Sequence, residues 1–396
     1  MSAAETLFLT PVMPAEGGNG LAMRAGLLLE GLARAGPVRV LVVPVFGHSG
    51  PPTALTDRVA ASVDVLALDP NPDPIADLTA RLGTPEGRAR AGALHPLPAL
   101  CRAATLAASK AVAKASQGVA LVLAMRLYLA PLLDVLLDQP QRPALVLDVD
   151  DVESLTQRDL GNLEEASRFE RLESIYLPLL DRVIACSRHD ADHLADLDEL
   201  RAIVVVPNAI RPPAPSAGRP LAHHDLVFVG NLSYRPNADG ARWLCREVLP
   251  RLEGPTVALV GSRPGPDVLE LAADRRVTVA GDIPDVAPWY RSASVAVVPI
   301  RAGGGTRIKV LEALAHRRPV VATTAGGRGL DLAVSDGPIL TADTADAFAA
   351  ACRRLLDDPA LASRLGERGA EAVLTTSSVD VVAPLVEALA LDTFRR

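Results

Sequence analysis

"SVAVVPIRAGGGTRIKVLEALAHRRPVVAT", residues 294–323, reads as one strand–turn–helix–strand unit. "SVAVVPI" is a β-branched apolar run, and such runs favour strands buried on both faces. The spacing predicts a helix from Thr306 to His316, with Thr306 as N-cap. His316, Arg317 and Arg318 close it, where positive charge suits the helix dipole, and Pro319 opens the next strand. Gly303, Gly304 and Gly305 therefore form the turn between a strand end and a helix start. Lacking β-carbons, they let the backbone approach an anion and direct N–H groups at it. Arg307 and Lys309 follow in the first helical turn. Lys309 is one of only three lysines, with Lys110 and Lys114, among 40 Lys and Arg. It adds a compact ammonium charge, and Glu312, three residues on, shares roughly its face. A carboxylate there suits two ribose hydroxyls. The plainer reading is a tight turn with a solvated ion pair. The order of residues fits neither a Walker A loop nor GxGxxG.

The same unit recurs outward in both directions. "TLFLTPV", "VRVLVVPV", "VDVLAL", "VALVLA", "ALVLDV", "RVIACS" and "AIVVVPN" alternate with helical patterns in the first half. "DLVFVG", "TVALVG", "RVTVAG", "SVAVVPI" and "PVVAT" do so in the second. This is the pattern of parallel sheets covered by helices on both faces. Between them, "IRPPAPSAGRPLAHH" is proline-rich and aperiodic, as a linker is. The expected organisation is two doubly wound, Rossmann-like α/β domains facing each other across a cleft. It places 1–210 as an N-terminal acceptor-binding domain, 211–224 as linker and 225–378 as a C-terminal donor-nucleotide domain. Residues 379–396 form a helix packing back on the first domain. Ligands in such sheets lie beyond the carboxyl ends of the strands.

Bulk properties narrow the function. The chain of 396 residues has 49% hydrophobic residues, 3% aromatics and net charge −7. An acidic chain poor in aromatics argues against nucleic-acid binding. Four separated cysteines form no CxxC pair, which suits a reducing cytosol. The first residues lack the basic and apolar regions of a signal peptide. "GVALVLAMRLYLAPLLDVLL" is broken by Arg126, Pro131 and Asp134, so it reads as strand and helix rather than a membrane span.

"GGGTRIKVLEALAHRRPVVAT" resembles the donor-site segment of the family-4 retaining glycosyltransferases (group 1) with the GT-B fold. "FVGNLSYRPNADGARWLCREVLPRL" (228–252) resembles that family's opening strand, turn and helix of the C-terminal domain. "VVVPNAI" resembles its interdomain segment, and "PAEGGNGLAMRAGLLLEGLARAG" its N-terminal glycine loop and first helix. The resemblance implies transfer of a hexose from a nucleoside-diphosphate sugar to an acceptor hydroxyl with retained configuration, without a metal or other cofactor. It implies catalytic roles for Lys309, Arg235 and Glu312, and donor contacts from Gly230, Asn231, Asn237, Gly303, Gly304, Gly305, Thr306 and Arg307. Three departures stand out. Of the family's two glutamates eight positions apart, the second is Glu312, but the first position holds Gly304. The arginine common after "VG" is Asn231 here, leaving Arg235 as the nearest replacement. The family's N-terminal-domain histidine also has no good match, since Met125-Arg126 follows "VALVLA".

On the N-terminal side of the expected cleft, Gly17 and Gly18 form either a second backbone cradle or an ordinary first turn. Arg126 ends a strand and suits an anionic part of either substrate; a surface ion pair is the alternative. In "LVLDVDDVESL", Asp148, Asp150 and Asp151 cap the helix starting near Glu153, with Asp150 placed for acceptor contacts. An Asp-x-Asp metal site is the other reading. "GGRGL" (326–330) resembles the family's next donor loop. Residues 81–114 carry six basic residues against Glu86 alone, suited either to a weak peripheral contact with an anionic membrane surface or to a solvated helical face. The expected location is cytoplasmic, including the inner face of the membrane. Alternatives are a sugar-nucleotide epimerase of the same two-domain architecture and a non-catalytic two-domain ligand-binding protein. The acceptor is open among a glycan, a lipid-linked molecule and a small natural product.

Overall fold

A computed structural model describes residues 4–68, 97–195, 203–213, 221–305, 307–330 and 337–395. The chain divides into two compact units. The first comprises Met1–Glu16, Leu21–Pro207 and Ala383–Arg396; the second comprises Gly17–Gly20 and Asn208–Val382.

The first unit is built on seven strands: β1 (Thr6–Thr10), β2 (Val38–Val42), β3 (Ser62–Val65), β4 (Leu121–Met125), β5 (Ala144–Asp150), β6 (Arg182–Ala185) and β7 (Ile203–Val205). They form one sheet in the order β3-β2-β1-β4-β5-β6-β7, and every pairing is parallel. The central strands β1 and β4 are buried at every residue. That explains their unbroken apolar runs, since helices cover both faces. Edge strand β3 is partly exposed throughout. Helix α1 (Gly20–Ala35) crosses from β1 to β2.

The second unit carries β8 (His224–Val229), β9 (Val257–Gly261), β10 (Val277–Gly281), β11 (Ala293–Val298), β12 (Val320–Ala322) and β13 (Ile339–Thr341). Their order is β10-β9-β8-β11-β12-β13, again all parallel. All twelve expected runs are strands. The thirteenth, β13, is a three-residue strand at a sheet edge.

Both sheets reverse direction of winding once, between β1 and β4 and between β8 and β11. Such switch points leave a crevice at the strands' carboxyl ends, because the flanking connections depart to opposite faces. Ile210 pairs in parallel with Ser378, so the chain has joined the second unit before the proline-rich stretch. Of that stretch, 214–220 lie outside the described residues. The last helix, Val379–Phe394, starts in the second unit and continues in the first. There a β-carbon on Gly31 of α1 would stand 2.4 Å from Val386 Cβ, so close packing requires glycine. Among the described residues no helix is long and apolar enough to cross a membrane. Of the basic stretch 81–114, the part through residue 96 lies outside the described residues. Lys110 and Lys114 are exposed on the helix Leu106–Ala115.

Candidate active site

The second unit's switch point is built from two loops. After β8 the chain turns through Gly230, Asn231, Leu232 and Ser233. Asn231 Oδ1 accepts from Ser233 N and Oγ at 3.0 and 2.8 Å, an Asx turn that sets the entry to the helix Arg235–Trp243. The neighbouring strand β9 ends in Gly261, where a β-carbon would fall 1.7 Å from Gly230 O. The two strand ends touch backbone to backbone, and no side chain fits between them.

After β11, Gly303 and Gly305 take positive φ of 106° and 73°, conformations costly for residues with a β-carbon. This is why the turn is glycine-rich. The following helix spans Ile308–Ala315, with Arg307 as its N-cap residue. It therefore begins two residues later than expected. Thr306 lies outside the described residues. The Arg307 guanidinium donates to Gly303 O, closing the turn on itself. A β-carbon on Gly303 would lie 3.7 Å from Tyr234 Oη and 3.6 Å from Pro236 Cγ, so the two loops abut.

Lys309 joins them. Its Nζ donates to Asn237 Oδ1 at 2.6 Å, and Asn237 Nδ2 donates to Asn231 O at 2.8 Å. The ammonium also lies 4.9 Å from the centre of the Phe228 ring. A β-carbon on Gly230 would come within 2.9 Å of both Lys309 Nζ and Asn237 Nδ2. Asn237 is 6% exposed. Lys309, Asn237, Asn231 and Gly230 thus form one connected cluster, joined to Gly303 and Arg307 through the abutting loops. Arg235, by contrast, is exposed at the start of its helix. The ammonium beside the Gly230–Asn231 turn is that of Lys309.

Burial governs the electrostatics here. Lys309 and Glu312 keep partial access to solvent, but protein forms most of their surroundings. Loss of hydration, and then Arg307, push Lys309 down to about 7, against the pull of Glu312. Burial pushes Glu312 up to about 7, against the pull of Lys309. Tyr290, 2% exposed, donates from Oη to Lys309 O at 3.2 Å; burial first, then Glu312, raises its pKa. Its ring stacks on His316, with centroids 5.3 Å apart. Burial, with Arg291 next, holds His316 down at about 4. Tyr290 and Phe228 were not foreseen. Tyr290 comes from a separate helix, Ala287–Arg291, and no local pattern links it to Lys309. In "GGRGL", Gly326 N donates to Thr323 Oγ1 at 2.9 Å, so that amide is already committed within its own turn.

Gly17 and Gly18, in the segment after β1 that groups with the second unit, are exposed, with open space around both β-carbon positions. Arg126, after β4, and Asp150, at the end of β5, are both non-glycine residues with positive φ, 79° and 56°. Their side chains pair at 3.0 Å. Arg126 also pairs with Glu153 and lies 4.0 Å from Asp151. The acidic trio divides its roles. Asp148 forms a fully buried bidentate pair with Arg24 of α1, at 2.6 and 3.2 Å. Asp151 accepts from Thr156 Oγ1 at 2.7 Å, and burial pushes it up to about 7. The N-cap of the helix Glu153–Asp159 is Val152, with no side-chain cap, so none of the three caps it. Among the described residues, no cluster of three or more His, Cys, Asp or Glu is placed to hold a metal ion.

The two wound parallel-sheet units match the fold of solved GT-B glycosyltransferases. Over 99% of both chains, the fold matches sucrose-phosphate synthase from Thermosynechococcus elongatus, with TM-score 0.73 and 19% identity. It also matches Anabaena HepE, solved in complex with UDP-glucose, over 99% of both chains with TM-score 0.67 and 15% identity. Residues 223–358 match the family described as Glycosyl transferases group 1, and this stretch is a domain of that family. A lipopolysaccharide core biosynthesis mannosyltransferase, LpcC of Rhizobium leguminosarum bv. viciae, is 34% identical over 102 residues. That similarity covers 26% of this chain and 29% of that relative's length.

Proposed function

We propose that this protein transfers a hexosyl group from a nucleoside-diphosphate sugar to an acceptor hydroxyl, with retention of anomeric configuration. The observation that carries the reading is the Lys309 ammonium. It is held by Asn237 against the Gly230–Asn231 turn, at the switch point where wound sheets bind phosphates. The glycine turn adds backbone donors and the helix start adds its dipole. Charge of this kind, preorganised where a leaving diphosphate gathers negative charge, lowers the barrier. Glu312 anchors the ribose hydroxyls. The bond from the anomeric carbon to the diphosphate oxygen breaks and one to the acceptor oxygen forms on the same face, as the family resemblance implies. The acceptor's proton passes to the departing phosphate oxygen, so the step needs no separate base. The UDP-glucose held by HepE and the mannosyltransferase relative make UDP-glucose and GDP-mannose the first donors to test. Incubation of each with a mixed acceptor panel, followed by mass spectrometry and proton NMR, should reveal a product whose new linkage keeps the donor's α configuration. An isomerised nucleotide sugar with no transfer would point to an epimerase instead.

A further inference from the structure

The first unit carries an aromatic residue that the reading above does not use. Phe46 is 45% exposed. It occupies a tight turn closed by Gly47 N donating to Pro44 O at 2.9 Å, just past the carboxyl end of β2. The same loop is tied to the segment after β1, since Met13 N donates to Ser49 O at 3.2 Å. The Phe46 ring meets Tyr128 edge to face, with centroids 6.1 Å apart at 80°. The guanidinium of Arg126 lies 5.6 Å from the Tyr128 ring centre. Phe46, Tyr128, Arg126 and Asp150 are thus contiguous beyond the ends of β2, β4 and β5. Two of the four are held in left-handed backbone conformations, a cost that clusters at functional sites. Tyr128 is 1% exposed, and although Arg126 lies close, its hydroxyl makes no hydrogen bond of good geometry.

From this cluster we infer that the acceptor is an uncharged glycoside, its pyranose ring lying on Phe46 and its hydroxyls meeting Arg126 and Asp150. A pyranose presents C–H groups on one face and hydroxyls around its rim. The negative face of an aromatic ring attracts the former, and a guanidinium beside a carboxylate supplies donors and acceptors for the latter. Charge separates this acceptor from a lipid phosphate or another anion. Arg126 is surrounded by Asp150 and Glu153, with Asp151 at 4.0 Å, so the cluster carries no surplus positive charge and repels an anionic acceptor. The acceptor role rests on the function proposed above; binding of the glycoside does not.

The test uses the full chain. Saturation-transfer NMR would be run with methyl α-glucoside, methyl α-mannoside and methyl β-galactoside. Phosphatidylcholine vesicles doped with a polyprenyl phosphate serve as the anionic comparison. At least one glycoside should bind and accept a hexose. Phe46→Ala should raise its KM by about three- to tenfold, the scale of an aromatic face contact, and Phe46→Trp should restore it. Phe46→Leu keeps an apolar side chain at this exposed turn. It should behave like the alanine variant, which separates loss of the ring from a folding defect. Unchanged glycoside binding in Phe46→Ala, no glycoside binding in the parent, or transfer to the polyprenyl phosphate alone would each overturn the inference. Calorimetric titration of UDP and GDP reports on the second unit. If neither binds, the proposed transferase function fails, while the NMR result still decides the glycoside site.

Discussion

Replacing Lys309 with methionine keeps the apolar stem and removes the charge. In the free protein the ammonium has Asn237 at 2.6 Å as its hydrogen-bond acceptor, and burial holds it down at about 7. A charge-assisted hydrogen bond to a diphosphate oxygen contributes about 1.5–3 kcal/mol, or roughly ten- to a hundredfold in affinity. That is the expected loss near pH 7. The pH dependence is the sharper test. Lys309 and Glu312 titrate as a pair. As pH rises through about 7, their joint charge moves from positive through zero to negative. Each pH unit above 7 then costs about 1.4 kcal/mol to restore the proton on Lys309. Nucleoside-diphosphate affinity of the parent protein should therefore fall by up to about tenfold per unit between pH 7 and 9. The gap between parent and Lys309→Met should narrow accordingly. Isothermal titration calorimetry with UDP and GDP, in buffers of different ionisation enthalpy, measures both affinity and proton uptake. Uptake above pH 7 should be larger in the parent. A gap that stays constant from pH 6.5 to 9 would show that Lys309 is not the group that must gain the proton.

Three further expectations concern other parts of the structure. Gly230→Ala places a methyl group 2.9 Å from Lys309 Nζ and Asn237 Nδ2, so it should weaken UDP or GDP binding by at least about tenfold while thermal unfolding shifts far less; equal affinities would refute the packing argument. Arg24→Met leaves Asp148 buried without its partner and should lower stability by about 3–5 kcal/mol in urea unfolding, whereas Arg24→Met with Asp148→Leu should recover much of it; additive losses would contradict this. Burial pushes Glu173 up to about 7, and its carboxyl accepts from Ser154 Oγ at 2.8 Å. The folded state therefore holds this proton more tightly than the unfolded chain, and the stability it supplies is lost as pH rises from about 4.5 through 7. Glu173→Gln should remove that loss, on the order of 3 kcal/mol, and raise Tm at pH 8 but not at pH 4.5; a rise of equal size at both would refute it.

The order of strands and helices was legible because its causes are local. Unbroken apolar runs such as "LVLAM" and "VALVG" belong to strands covered on both faces, and glycines at 303 and 305 mark backbone that other residues adopt only at a cost. The same rules pointed to Lys309 and Glu312, one helical turn past that glycine loop. Rules acting over a few residues could not show which distant group holds each charge. Lys309 meets Asn237 across 72 positions, and Arg24 meets Asp148 across 124. Asp148 resembled its acidic neighbours in sequence, yet it is fully buried and paired, while Asp150 sits with Arg126 in a left-handed turn. Whether a side chain is charged, shielded or presented to a ligand depends on how much water the whole fold removes around it and on what replaces that water. Chain order specifies the scaffold's units through nearest neighbours, but burial is a sum over every element packed nearby, and only the tertiary structure performs it.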